Sequence, residues 1–277
     1  MKPKKAVSFK TINNDEEMQR YLRQILYRTN KNLDETFLYH YTSIQSIQKI
    51  IESGYFFLNS FENMNDQFEK DLLERHGKKG KLYYMSFSKA DESLALYDKY
   101  CNQRESGALL KISYANMQKI IKHTQFKENI DGVFADGRYD HTRRSFYQVE
   151  DNKLTEKKVF GDIFCGSIVY YDPISKKLKC GTVENQKFKV PFQCKELLGF
   201  VKYKCWAYEE EIRLFVSLEG DSMENRKIAV PIDEDSLSQI EVITNPYFDK
   251  DKNKTELSKI REYGVNIRNS IYEGCIV

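Results

Sequence analysis

Residues 206–218 read WAYEEEIRLFVSL, three consecutive glutamates running into an apolar strand. From Glu211 to Leu218 the composition is that of a strand, and alternation along it places Glu209, Glu211 and Arg213 on one face. Carboxylates at the head of a buried strand are costly unless solvent, the arginine or a ligand compensates them. An Arg–Glu ion pair bracing an edge strand meets that condition, and so does a carboxylate face that binds a ligand. Within this stretch the two readings are even.

Elsewhere helical and strand patterns mix without strict alternation. Phe37 to Tyr41 reads as a strand, and Thr42-Ser43-Ile44-Gln45 fits a capping box with Thr42 as N-cap. The helix that follows carries Ile44, Ile47, Ile50 and Ile51 on one face and stops at Gly54. Strands are predicted at Tyr55 to Leu58, Lys81 to Ser88, Ala108 to Ile112, Ile163 to Tyr171, Lys227 to Ile232, Ile240 to Thr244 and Val265 to Ile271. Helical spacing marks 15–29, 91–101, 114–123 and 254–263, a basic loop is expected at 176–179, and an apolar helix should end near Phe200. Residues 124–160 lose periodicity and read as an irregular insertion. The class is α+β, with a mixed, mainly antiparallel split sheet and surrounding helices. The organisation is a flexible tail at 1–12 followed by a single domain at 13–277, without internal repeats or a low-complexity linker.

Composition narrows the functional classes. The 277 residues hold 44 Lys+Arg and 41 Asp+Glu, a formal charge of +3, which disfavours a binder driven by a strongly basic face. No stretch reaches the roughly 18 apolar residues of a membrane span, and the basic start Met1-Lys2-Pro3-Lys4-Lys5 has no apolar run after it. Six cysteines without a Cys-x-x-Cys pair read as reduced thiols, so a cytoplasmic protein without a metal site is expected. Thirteen glycines and five prolines leave little material for phosphate-cradling loops. Gly132 to Gly137 has Walker spacing, but Arg138-Tyr139 stands where a lysine and a hydroxyl residue are required. Dinucleotide-fold, zincin and nucleophile-elbow motifs are missing too.

What remains is a set of polar and aromatic clusters at strand ends. His40 closes a strand between Tyr39 and Tyr41, where rigid backbone can aim it into a cleft. A half-buried histidine bonded to backbone is the plainer reading. Asn65-Asp66 with Glu69 one turn later reads first as a helix N-terminus. Ser86-Phe87-Ser88 ends the strand that begins at Lys81. The run Arg138-Tyr139-Asp140-His141-Thr142-Arg143-Arg144 mixes basic and aromatic groups that suit a single nucleic-acid strand, although a solvated loop explains it as well.

In order, these segments are His40-Tyr41-Thr42, Asn65-Asp66-x-x-Glu69, Ser86-Phe87-Ser88 and Lys202-x-x-x-Trp206-x-Tyr208-Glu209-x-Glu211-x-Arg213. That order resembles the bacterial domain-of-unknown-function family 2971, over about Leu38 to Tyr272. The chain departs from the family pattern at 81–107, which lacks a Met-Trp pair near Tyr97, and at the 124–160 segment. More remotely the pattern is similar to ADP-ribosyltransferase-like folds. That second likeness implies NAD as substrate, ADP-ribosyl transfer or NAD hydrolysis as reaction, and no metal. It implies Glu211, Glu209 and His40 as the catalytic set. Tyr41, Thr42, Asn65, Asp66, Tyr84, Ser86, Ser88 and Arg213 are implied as contacts to the nucleotide. Expected partners are a small nucleotide (NAD or ADP-ribose) and a protein or nucleic-acid acceptor, with no membrane. Phage defence or a toxin system is the expected setting. The competing expectation is a nucleotide- or protein-binding module of the same fold without turnover.

Overall fold

A computed structural model describes residues 33, 35–64, 66, 67, 69, 70, 81–101, 103–124, 144–150, 153–172, 177–180, 183, 184, 199–218 and 227–275. The tail at 1–12, the helix expected at 15–29, Asn65 and most of the helix expected before Phe200 lie outside them.

Strand β1 (Phe37–Ser43) alternates its side chains between two cores, Leu38 toward one and Tyr39 and Tyr41 toward the other. It leads into helix α1 (Ile44–Ser53), whose four buried isoleucines fall on one face, as the spacing predicts. Burial of each such side chain contributes roughly 1.5–3 kcal/mol. The helix ends at Gly54, whose φ of 69° releases the chain into strand β2 (Tyr55–Ser60). The N-cap differs from the sequence reading. β1 pairs through Ser43, opposite Gly107, so Ser43 and not Thr42 is the cap, accepting from the Ser46 amide at 3.2 Å. Gln45 then points away from the helix start and donates to Asn253 and Glu256.

The remaining strands are β3 (Leu82–Ser88), β4 (Gly107–Ser113), β5 (Arg144–Glu150), β6 (Lys153–Ser167), β7 (Val169–Asp172), β8 (Lys177–Cys180), β9 (Val183–Glu184), β10 (Val201–Tyr203), β11 (Glu211–Leu218), β12 (Lys227–Pro231), β13 (Glu241–Thr244) and β14 (Asn266–Arg268). Helices α2 (Leu94–Tyr100), α3 (Tyr114–His123), α4 (Glu234–Ser238) and α5 (Lys254–Glu262) complete the described elements. Ten strands form one sheet in the order β11-β6-β5-β12-β2-β3-β1-β4-β13-β14, and β11 also pairs with β3. All pairings in it are antiparallel except β13 with β14, in keeping with a mainly antiparallel α+β arrangement. Four strands, β10-β7-β8-β9, form a second sheet.

Two parts of the expected layout change. Residues 144–160, assigned to an irregular insertion, pair as the hairpin of β5 and β6. Closely spaced lysines in the 153–158 stretch hide its strand alternation. The basic loop expected at 176–179 is largely strand β8, paired with β7.

Strand β3 is where the sheet splits. One edge follows β11 from Leu82 to Ser88, while the other pairs first with β2 and then, at the single position Tyr39–Ser88, with β1. β1 and β3 therefore part beyond that position. Strand β11 is held on its far side by β6, and that pairing depends on Gly161. A Cβ there would stand 2.3 Å from the Ser217 carbonyl oxygen. Gly161→Ala is expected to lower stability by about 1–3 kcal/mol, since a strand must shift to admit the methyl group. A reduced urea midpoint with unchanged slope would register it.

Candidate functional site

Four peptide segments separated in sequence meet at that split. The cleft there is lined by Tyr39, His40 and Tyr41 of β1, Ser86, Phe87 and Ser88 of β3, Leu96 and Tyr100 of α2, and Glu209 and Glu211. It encloses about 390 Å³ of empty space that includes its open mouth.

A chain of hydrogen bonds crosses the inner wall. His40 Nδ1 lies 2.7 Å from the Ser86 carbonyl oxygen. A carbonyl only accepts, so Nδ1 carries the proton and Nε2 of the neutral ring keeps its lone pair. The Ser86 hydroxyl donates to Glu211 Oε1 at 2.5 Å. Behind Glu211 stands Arg213, 0% exposed, with its guanidinium divided among three partners. Nη1 and Nη2 reach the two Glu69 oxygens at 2.6 and 3.0 Å, and Nε and Nη2 reach Glu211 at 2.7 and 3.1 Å. Nη1 also donates to the Gly199 carbonyl at 2.6 Å. Arg213 thus braces the carboxylates from inside and does not line the cleft.

Glu209 reaches the same place by another route. It ends a 3-10 helix over Lys204–Glu209, and Glu210 follows with a φ of 42°. Backbone in that left-handed region costs a non-glycine residue roughly 1–2 kcal/mol. The bend breaks the alternation assumed from sequence, so Glu209 is not part of β11. Its carboxylate is met by Lys99 at 2.6 Å, by Lys202 at 2.6 Å and by the Tyr100 hydroxyl. Lys202 also reaches Glu211 Oε2 at 3.1 Å. Lys99 Nζ lies 3.6 Å from the centre of the Trp206 ring and bonds the Tyr208 hydroxyl. Ser88 donates to the Glu209 carbonyl at 2.6 Å, and Tyr170 of β7 accepts from the Glu211 amide at 2.8 Å.

Three basic side chains, Lys99, Lys202 and Arg213, face three carboxyl groups, Glu69, Glu209 and Glu211. Burial pushes the Glu211 carboxyl up, but Arg213, Lys202 and the Ser86 hydroxyl outweigh it and bring it down to about 2. For Glu69 burial prevails over Arg213, and its carboxyl rises to about 7. Burial holds the His40 ring below its ordinary 6.5, against the Ser86 carbonyl.

The His40 shift sets a pH dependence. An unfolded His40 takes up a proton near 6.5, whereas the folded ring does so only at lower pH. Between those values the unfolded state binds more protons, so stability falls as pH drops below about 6.5. Glu69 acts in the opposite direction, because its folded carboxyl gains a proton first. Comparing wild type with His40→Gln cancels that contribution. The variant is expected to lose less stability between pH 7.5 and 5.5, measured by urea midpoints. An equal loss in both proteins would mean that His40 is not held neutral.

Of the expected contacts, His40, Tyr41, Ser86, Ser88, Glu209 and Glu211 line one cleft. Thr42 pairs with Ala108 within the sheet and Asp66 accepts from the Glu69 amide; neither lines the cleft. Tyr84 packs on Phe61 and over the Arg213 guanidinium, behind the cleft. Lys99, Tyr100, Lys202 and Tyr170 were not assigned roles from sequence. The signal for Lys202 was its fixed distance from Trp206 in the quoted motif. Among the described residues no cluster of His, Cys, Asp or Glu could hold a metal ion, and no helix is long and apolar enough to cross a membrane.

No protein-family model matches the chain, and no curated protein matches it. Two solved structures show a distant likeness, both of DarT from Thermus sp. 2.9. The one in complex with ADP-ribosylated ssDNA is 13% identical, with a TM-score of 0.35, covering 87% of this chain and 96% of that one. The one in complex with NAD+ is 13% identical, with a TM-score of 0.34, covering 86% and 96%. At that level of likeness they set neither fold nor activity for this chain.

Proposed function

We propose that the cleft binds the nicotinamide-ribose end of NAD and that the protein breaks the bond between them, passing ADP-ribose to an acceptor or to water. The observation that carries this reading is the single wall formed by His40, Ser86 and Glu211. Breaking the glycosidic bond sends its electron pair to the pyridinium nitrogen and leaves positive charge on the ribose, as in glycoside hydrolysis. An anionic carboxylate beside the ribose stabilises that charge. Glu211, held ionised by its cations, is suited to the task. His40 Nε2 can accept from a ribose hydroxyl, and Tyr39, Tyr41 and Tyr100 give the cleft an aromatic lining that suits the nicotinamide ring. The order of the four motifs, which is remotely similar to that of ADP-ribosyltransferase-like folds, supports the same reading; the likeness to family 2971 names no reaction and has no matching family model behind it. An effector role in phage defence or a toxin system would be one use of such an activity.

A binding module without turnover is the second reading, and one observation favours it. Glu211 already accepts from four donors: Ser86, Lys202 and two nitrogens of Arg213. A ribose hydroxyl must displace one of them. Ser86 is the neutral donor among the four and the one that lines the cleft, so exchange of one hydroxyl for another costs least there.

Incubation with NAD and measurement of released nicotinamide separates the readings. Release above the buffer rate is expected. A melting temperature raised by NAD or ADP-ribose without release would identify a binding module, and neither effect would sink both.

A further inference from the structure

The second sheet sends one cation into the carboxylate cluster, and the bond-breaking step described above gives it no contact with substrate. Lys202 lies on β10, with its side chain 9% exposed. Its Nζ stands 2.6 Å from Glu209 Oε2 and 3.1 Å from Glu211 Oε2. The Trp206 ring is centred 4.9 Å away. Among the described residues Lys202 alone is paired with both of these carboxylates, since Lys99 meets Glu209 and Arg213 meets Glu211 and Glu69.

Two carboxylates that share a small space resist ionising together, and one tends to keep its proton. A cation bonded to one oxygen of each removes that conflict and fixes the distance between them. The compact ammonium suits the geometry, because the two oxygens belong to different groups and do not match the planar fork of arginine. We infer that Lys202 is a positioning residue, which ties Glu209 to Glu211 and holds the Glu211 carboxylate ionised and turned toward the cleft.

Other charged or titratable groups face the pair from every side. Arg213 shares β11 with Glu211, and Glu69 stands beyond it. Lys99 and Tyr100 approach from α2, Tyr170 from β7 and Tyr84 from β3. His40 joins through Ser86. Arg213 also stabilises the Glu211 anion, so removing Lys202 tests its separate share. A role in turnover rests on the NAD-consuming reading; the effect on the carboxylates does not.

The test uses the full chain labelled with carbon-13 at the glutamate carboxyls, with Glu211→Gln assigning the Glu211 signal. In Lys202→Met the Glu211 titration is expected to move up by about 1–3 pH units. Lys202→Arg, which keeps the charge, should stay nearer to wild type. If Lys202→Met does not fold, Lys202→Met combined with Glu209→Gln removes one charge of each sign and should recover the fold. A Glu211 titration that does not move in a folded Lys202→Met overturns the inference. A combined variant no more stable than Lys202→Met alone does the same. Where wild type releases nicotinamide, Lys202→Met should acquire a new acid limb at the pH of its raised Glu211 titration, separate from any limb that belongs to His40. A moved titration in a protein that releases none leaves the Lys202 assignment standing and removes the enzymatic reading.

Discussion

Arg213→Met is expected to destabilise the protein by roughly 3–5 kcal/mol, the usual cost of breaking a buried ion pair from one side. In a chain of this size each kcal/mol is worth about 2–4 °C of melting temperature, so a fall of roughly 10 °C is anticipated. The guanidinium is wholly buried and makes five hydrogen bonds, four of them to Glu69 and Glu211. Methionine fills much of the volume and supplies none of the donors. Glu69 can take up a proton to relieve its share of the burden, because its carboxyl already lies near 7. Glu211 has less freedom, since Lys202 and Ser86 still hold it as an anion. Arg213→Lys should fall between the two, as one ammonium cannot span Glu69, Glu211 and the Gly199 carbonyl. Adding Glu69→Gln to Arg213→Met should cost less than the sum of the single changes, because the two residues share one interaction. Urea titrations of the four proteins give these differences directly. A loss below about 1 kcal/mol for Arg213→Met would place the cluster in solvent and contradict its burial.

The same arginine shows how far the sequence alone could be read. Local rules worked where the determinant was local. Isoleucine spacing defined α1, Gly54 ended it, and the apolar run after Glu211 became β11. The cap at Thr42 was misplaced by one residue because pairing with β4 carries β1 through Ser43. His40, Ser86 and Glu211 were legible as site candidates, since each stands in a short polar motif at a strand end. Of the partners of Arg213, alternation nominated Glu209 and Glu211, and Glu211 is one of them. Glu69, 144 residues away, reads from sequence only as an acidic residue at a helix start. The left-handed backbone at Glu210 undid that alternation. Lys99, Tyr100 and Tyr170 come from elements whose own patterns explain them as surface or strand residues. Only the fold brings them to the carboxylates.

Glu211→Gln should reduce nicotinamide release by about 10²–10³-fold, the range seen when one preorganised electrostatic group is removed from a reacting centre. Glu209→Gln should cost clearly less. Both carboxylates line the cleft, but Glu209 is tied to two lysines and a tyrosine hydroxyl, so it serves to join α2 and β10 to the 3-10 helix that precedes β11. Glu211 is spent inward on Arg213 and Lys202, and faces the cleft through the oxygen that Ser86 occupies. A glutamine at 211 has one acceptor oxygen for those donors, so thermal melts must accompany the assay and confirm a folded protein at the assay temperature. NAD binding to the folded variant should change far less than turnover, because the carboxylate charge matters most when positive charge develops on the ribose. The pH profile provides an independent check. With its carboxyl near 2, Glu211 is ionised at neutral pH and should add no acid limb there. A limb that does appear on the acid side of the ordinary histidine value of 6.5 should belong to His40, whose Nε2 accepts only while the ring is neutral, and His40→Gln should abolish it. Unchanged release from a folded Glu211→Gln, or a larger loss from Glu209→Gln, would remove Glu211 from the reaction. The cluster would then be what its salt bridges alone describe, a buried brace that joins two sheets.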